Sequence, residues 1–308
     1  MLPISRGRVA TPDRILVYGR PGVGKSTFAS GADRPLFLDI EKGSMKIDVS
    51  RCHPESYDEF IHTLKNWPVE FRTCVVDTID ALERLIFGSI CRELAVDCIE
   101  AIGYGKGYNK AVDRWNEVLS ELDVLRTRHG VEVILLSHSV VRNVTNPSGT
   151  DYTRHELGIH AKSVGTLTAW VDSLAYADIE HTVTKAEKII TTGRRVLRLA
   201  PGAWDAKCRF RNAPDVIENS YAAYSAMRNS FNITETKAAP AVVLPETKAA
   251  EAVAASAEDV FAECEGLLKK VPDPETQKII GPFIEANKTN LATLVKTRSR
   301  LLQLTEGV

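Results

Sequence analysis

Short apolar runs, each closed by a glycine or an acid, alternate along the first half of the chain with longer stretches of helical spacing. Arg14 to Tyr18 (RILVY) reads as a buried strand that breaks at Gly19. PLFLDIEKG supplies a second strand ending in Asp39 and Glu41, FRTCVVDTID a third ending at Asp77, and VEVILLSH (131–138) a fourth. A short helix reaching about Gly31, then residues 56–66, 79–96 and 109–129, carry the helical spacing between them. Strands separated by helices of this length imply an α/β fold with a mostly parallel central sheet covered on both faces. From Asp172 the pattern changes. DSLAYADIEHTV, EKIITT and RRVLRLAP alternate over short spans, with Gly193 and Arg194 as a turn signal, and predict an antiparallel extension of the sheet. A helix near 219–229 closes this unit, so the first domain is expected over residues 1–231. Alanine, proline and charge without a period mark residues 232–257 as a linker, and helical spacing returns over 258–308 as a small helical module or partner-binding tail.

The first strand delivers the chain's clearest chemistry. RILVYGRPGVGKST fits G-x4-G-K-[ST], with a strand before it and a helix start after it. Glycines at 19, 22 and 24 let successive backbone N–H groups turn inward on phosphate oxygens. Gly19, Arg20, Pro21, Gly22, Val23, Gly24, Lys25, Ser26 and Thr27 are therefore the expected nucleotide-binding loop, with Lys25 on the β- and γ-phosphates and the Ser26 hydroxyl on Mg²⁺. A helix starting near Ser26 adds its positive dipole end. Asp77, at the end of TCVVD, is a second metal-holding candidate, because open α/β sheets gather ligands at the carboxyl ends of their strands. The bland alternative is that Asp77 caps the helix beginning at Ile79. Asp80 reads as an exposed acid at that helix start.

Composition changes this picture little. Of 308 residues, 44% are hydrophobic, an ordinary share for a globular core, and the formal net charge is −1, so any nucleic-acid contact must come from local basic loops. Six cysteines form no C-x-x-C pair, which argues against zinc and for reduced thiols in a cytoplasm. No stretch reaches the apolar length of a membrane span, and the first residues lack the apolar segment of a signal peptide. The segment IGYGKGYNK alternates glycines with Tyr104, Lys106, Tyr108 and Lys110, which offers stacking faces and phosphate-meeting cations to a single strand. A helix-connecting turn with packed tyrosines is the structural alternative. Residues 139–162 lack clear periodicity and carry Arg142, Arg154 and Lys162, a second loop of the kind that is usually functional.

The order GRPGVGKST, FLDIEKG, TCVVDT, VILLSH resembles the RecA-like ATPases over roughly residues 12–230. That resemblance implies a RecA-like P-loop NTPase core in which Glu41 is the catalytic base and His138, or Ser137 beside it, senses the γ-phosphate. AKCRFRN is similar to the K-x-R pair of RecA-fold hexameric helicases and KaiC-like ATPases, which implies that Lys207 and Arg209 act in a neighbouring subunit's site and that the active unit is a homo-oligomer, a ring or short filament. The stretches GYGKGY and AKCRFRN are most similar to compact phage ATPases of the single-strand annealing type. From this follow the expected substrates, ATP with Mg²⁺ and single-stranded DNA, a role in annealing or recombination, and a bacterial host cytoplasm. About a dozen residues precede the first strand, where full-length strand-exchange recombinases carry a segment that docks on the next protomer, a departure that counts against a stable filament and full strand exchange and leaves annealing or recombination as the expected role. The rival expectations are a KaiC-like regulatory ATPase without a DNA substrate, and a nucleotide-gated module whose C-terminal tail docks a single-strand-binding or other replication protein.

Overall fold

Alternation along the first strand decides the architecture: Leu16 and Tyr18 point into one apolar layer, Ile15 and Val17 into the other. In the computed structural model, which describes residues 11–144, 149, 151–183, 189–233, 257–270, 273–290, 293–294, 297–298 and 301, this strand is β1 (Arg14–Gly19), central in the sheet. After α1 (Lys25–Ser30) come β2 (Pro35–Asp39), β3 (Ser50–Cys52), α2 (Tyr57–Lys65), β4 (Thr73–Asp77), α3 (Ile79–Leu94) and α4 (Lys106–His129). β5 (Glu132–Val144), β6 (Tyr152–Leu157), α5 (Ala161–Trp170), β7 (Ser173–Val183) and β8 (Ile189–Arg198) follow, then β9 (Lys207–Cys208), β10 (Val216–Glu218) and α6 (Tyr221–Ile233). The sheet order is β10-β8-β7-β1-β5-β4-β2-β3. β3, β2, β4, β5, β1 and β7 run parallel, so their carboxyl ends share one edge. This is a mostly parallel P-loop NTPase core. β5 separates the phosphate-loop strand from the Asp77 strand and brings His138 level with Gly19.

The structure corrects the expected pattern in four places. β7 is not an antiparallel addition: it pairs parallel with β1, and antiparallel with β8 and β9. Gly193 is no turn but lies inside β8 at φ +75°, in the stretch where the β7–β8 register shifts, a bulge for which glycine is suited. Residues 139–162 are not a structureless loop. β5 continues to Val144 and pairs antiparallel with β6 as a two-stranded ribbon, and α5 follows. The ribbon leaves Val140, Val141 and Tyr152 exposed on both faces, and α5 buries only Ser163 and Leu167, so neither element writes a one-sided apolar pattern. Finally, the expected linker begins inside α6, and residues 234–256 lie outside the described residues.

The chain divides into two units, Met1–Lys237 and Ala238–Val308. In the second, α7 (Ala257–Leu268) and α8 (Pro274–Ala286) pack around Val260, Cys264, Ile284, Leu294 and Leu301. No helix among the described residues is long and apolar enough to cross a membrane.

Candidate active site

The phosphate loop leaves β1 where no side chain fits: a Cβ on Gly19 would stand 2.4 Å from the carbonyl oxygen of Ala177 on β7. Gly24, at φ +103°, takes the left-handed turn that begins α1. Lys25 is buried, its Nζ donating to the carbonyls of Gly19 (3.0 Å) and Arg20 (3.2 Å). Burial pushes its pKa down, against the pull of Asp77, Asp80 and Glu41. Lys25 therefore sits within the field of Asp77, Asp80 and Glu41.

Ser26 and Asp77 come together as the sequence predicts. Ser26 Oγ donates to Asp77 Oδ2 at 2.8 Å, while the helix cap that Asp77 was offered as an alternative is made by Thr78, whose Oγ1 accepts from Ala81 N–H. Burial raises the Asp77 pKa, and the Ser26 hydrogen bond only partly offsets it. Two adjacent hard oxygen donors, one an acid whose charge burial disfavours, fit a small divalent cation such as Mg²⁺. Bound there, the cation would neutralise charge on a nucleotide's phosphates.

Glu41 sits on a turn that Asp39 builds. The Asp39 carboxylate, wholly buried, accepts from the backbone N–H groups of Gly43 and Ser44 and from Ser44 Oγ at 2.6 Å. The turn presents the Glu41 carboxylate to Arg84 at 3.1 Å and to His138 Nδ1 at 3.9 Å. The Glu41 carboxylate thus lies between a guanidinium and an imidazole.

Asp80 is the residue that the sequence misread. It is 8% exposed and not a solvated helix-start acid. Its Oδ2 lies 2.8 Å from His138 Nδ1, and its Oδ1 accepts from His138 N–H (3.0 Å) and Ser137 Oγ (3.3 Å). Ser137 is wholly buried and shares Asp80 Oδ1 with the His138 N–H, while the partly exposed His138 ring faces Asp80 Oδ2 and Glu41. The hydrogen bond to Asp80 raises the His138 pKa above 6.5, with burial opposing. For Asp80, burial would raise the pKa, but the His138 side-chain and backbone hydrogen bonds overcome it and bring it down to about 2. Ligand atoms of Glu41, Asp80 and His138 lie within 4.8 Å of one another. Because Asp80 and His138 satisfy each other, the trio is better suited to holding a proton and orienting a water than to gripping a second ion.

Stabilisation from the raised His138 pKa is complete below about 6.5 and lost as pH rises through its folded value; that from the lowered Asp80 pKa is present above 3.8 and lost as pH falls through about 2. Asp80→Asn removes the acid that favours the charged form of His138. The expected result is that the alkaline fall in nucleotide turnover moves to lower pH, checked by a pH–rate profile of kcat for both proteins. An unmoved limb would mean that Asp80 only packs.

The remaining candidates scatter. Lys207 and Arg209 lie at the opposite, amino edge of the sheet, because β9 pairs with the first residues of β7. Lys207 Nζ donates to the carbonyls of Thr168, Ala169 and Val171 and so caps the end of α5; Arg209 pairs with Asp172 at 2.8 Å and reaches the Ala169 carbonyl. They do share one side, as their spacing predicts, but that side is occupied by their own chain. Tyr108 is no open stacking face either: it lies flat on His160 at 3.7 Å and donates to Glu100 at 2.6 Å. Lys162 ties the Gly105 carbonyl to Asn109, and Lys110 lies 3.6 Å from Glu93. Arg154 pairs with Asp205, and Arg142 with Glu156 across the ribbon at 3.2 Å. Tyr104 is fully exposed at φ +52°, and Lys106 beside it opens α4.

A family model described as an AAA domain matches residues 11–210, well over half of the 308 residues and the span that holds the phosphate loop, Glu41, Asp77, Asp80 and His138. No curated protein matches the chain. The chain belongs to the AAA domain family and has the nucleotide-binding, ATPase-type core of that family.

Proposed function

We propose that this protein is a Mg-dependent ATPase whose turnover answers to single-stranded DNA, and that it promotes annealing or recombination in a phage setting. Lys25 meets the β- and γ-phosphates, Ser26 and Asp77 hold the cation, Glu41 orients the attacking water, and His138 faces the γ-phosphate. One observation carries the DNA half of the reading: β5 is a single strand that bears His138 at the nucleotide edge and, a few residues on, Arg142 and the exposed Val140 and Val141 of the ribbon. A strand gripped at its ribbon end transmits that grip directly to the phosphate-facing imidazole. Arg142 and Arg154 stand directly opposite each other in the ladder, an arrangement unfavourable by itself that Glu156 and Asp205 relieve, and that suits a phosphate backbone. Tyr104 adds a solvent-facing ring beside Lys106.

The test is ATPase activity with and without single-stranded DNA. Stimulation is expected, and Tyr104→Ala should weaken single-strand binding by about 1–3 kcal/mol while leaving DNA-free turnover unchanged, measured by fluorescence anisotropy and a coupled assay. Turnover indifferent to DNA, with no salt-sensitive binding, would instead favour the regulatory-ATPase reading.

A further inference from the structure

We propose that Arg195, from strand β8 of the same chain, is a nucleotide-binding residue that engages the phosphates of the bound nucleotide. The inference rests on the nucleotide-site reading above and adds to it a cation that the loop motif does not contain.

The sheet register puts Arg195 over the phosphate loop. Gly19 is level with Ala177 on β7, Ala177 is opposite Leu197 on β8, and Arg195 stands opposite Ile179, two positions beyond that edge. Leu197 belongs to the apolar layer that also holds Phe28 and Ala29 of α1, so Arg195, two residues away on the same strand face, is on the α1 side of the sheet. The distances agree. A Cβ on Gly24 would stand 3.5 Å from both Cδ and Nη1 of Arg195, so the guanidinium lies along the turn whose next residue is Lys25.

Asn219 fixes this geometry from below. Its backbone N–H donates to the Arg195 carbonyl at 3.1 Å, and its Nδ2 donates to the Val23 carbonyl at 3.1 Å, which ties the end of β10 to both β8 and the loop. Its Oδ1 is buried with no hydrogen-bond partner among the described residues. The orientation of the amide is thus set by the Val23 carbonyl, and Asn219 acts as a positioning residue for the loop and for Arg195.

The neighbours of Arg195 on β8 are spoken for: Arg194 lies 3.7 Å from Glu180, and Arg198 pairs with Asp178 at 2.9 Å and covers the Trp204 ring. Arg195 is exposed and has no side-chain hydrogen bond or ion pair among the described residues. An unpaired guanidinium held against a loop of convergent amides is matched to phosphate oxygens, which it can meet with two parallel donors. Lys207 and Arg209 are engaged at the far edge of the sheet, so Arg195 supplies in cis the arginine that those residues were expected to supply in trans.

The experiment is equilibrium binding of ADP and of a non-hydrolysable ATP analogue to the full chain, at low and moderate salt, for the wild type, Arg195→Ala, Arg195→Lys and Lys25→Ala. Loss of a charge-assisted contact weakens Arg195→Ala binding about tenfold or more for both nucleotides, with an unchanged melting temperature because the side chain is exposed. Arg195→Lys restores part of the affinity and the wild-type salt dependence. Affinity within twofold of wild type in Arg195→Ala overturns the proposal, as does a salt dependence of binding that Arg195→Ala leaves unchanged. Mixing Arg195→Ala with Lys25→Ala leaves turnover no higher than that of Arg195→Ala alone if Arg195 acts in cis, and activity above that level overturns that assignment. If the wild type itself binds neither nucleotide, the site reading fails and not this residue alone.

Discussion

Lys25→Ala abolishes ATP turnover and leaves the fold at least as stable as before. The two halves of this expectation have different causes. Turnover is lost because Lys25 is the one cation inside the loop's own curl, and deleting a preorganised positive group at a transferring phosphoryl typically costs on the order of a hundredfold or more. Stability is kept because the ammonium is a burden to the folded chain: burial lowers its pKa, which means that the charged form is disfavoured relative to water, and its hydrogen bonds go to the Gly19 and Arg20 carbonyls of the loop itself. Lys25→Met is the packing control, since it keeps most of the buried stem. Both variants should melt at or above the wild-type temperature in a calorimetric scan while a coupled assay reads no turnover. Near-normal hydrolysis in either would remove the phosphate loop from the mechanism.

Glu41→Gln has the second largest expected effect, a loss of about a hundredfold to ten-thousandfold in kcat with nucleotide affinity within a few-fold of wild type. Glutamine keeps the shape and can still accept from Arg84, but it cannot take a proton from water. The turn beneath it stays intact because Asp39, not Glu41, organises residues 43 and 44. Single-turnover kinetics separate the chemical step from product release, and an unchanged chemical step would reduce Glu41 to the surface partner of Arg84.

Much of this site was legible in the sequence because its signals are local. The loop from Gly19 to Thr27 is a contiguous motif, and Asp39, Glu41 and Asp77 each follow a run of buried β residues, so strand ends and functional acids are marked together. Asp80 was not legible. As a residue near a helix start it carries the ordinary mark of exposure, and its burial depends on His138, which reaches it only because β5 lies beside β4. Arg195 escaped for the same reason: nothing near it in sequence mentions a phosphate, and only the β1–β7–β8 register brings it to Gly24. Tyr108 and Lys162 misled in the other direction. Glycine-aromatic-basic alternation is equally a recipe for a tight connection, and His160 and Asn109, which consume those side chains, could be assigned to them only in three dimensions.

The place of β1 in the sheet has a consequence for how the chain is made. β1 leaves the ribosome well before its two sheet neighbours, β5 and β7, which begin more than a hundred residues later in the chain. Until both have emerged, Ile15, Leu16, Val17 and Tyr18 form an apolar strand with two unpaired edges, the kind of segment that pairs with the wrong chain. Gly19 gains its contact with Ala177 later still, so nucleotide arriving during synthesis finds a loop with no wall behind it. Nascent chains paused before β7 is exposed should therefore depend on holding chaperones and draw nothing from ATP, and ligand can begin to stabilise the chain only after the last of the parallel strands is in place.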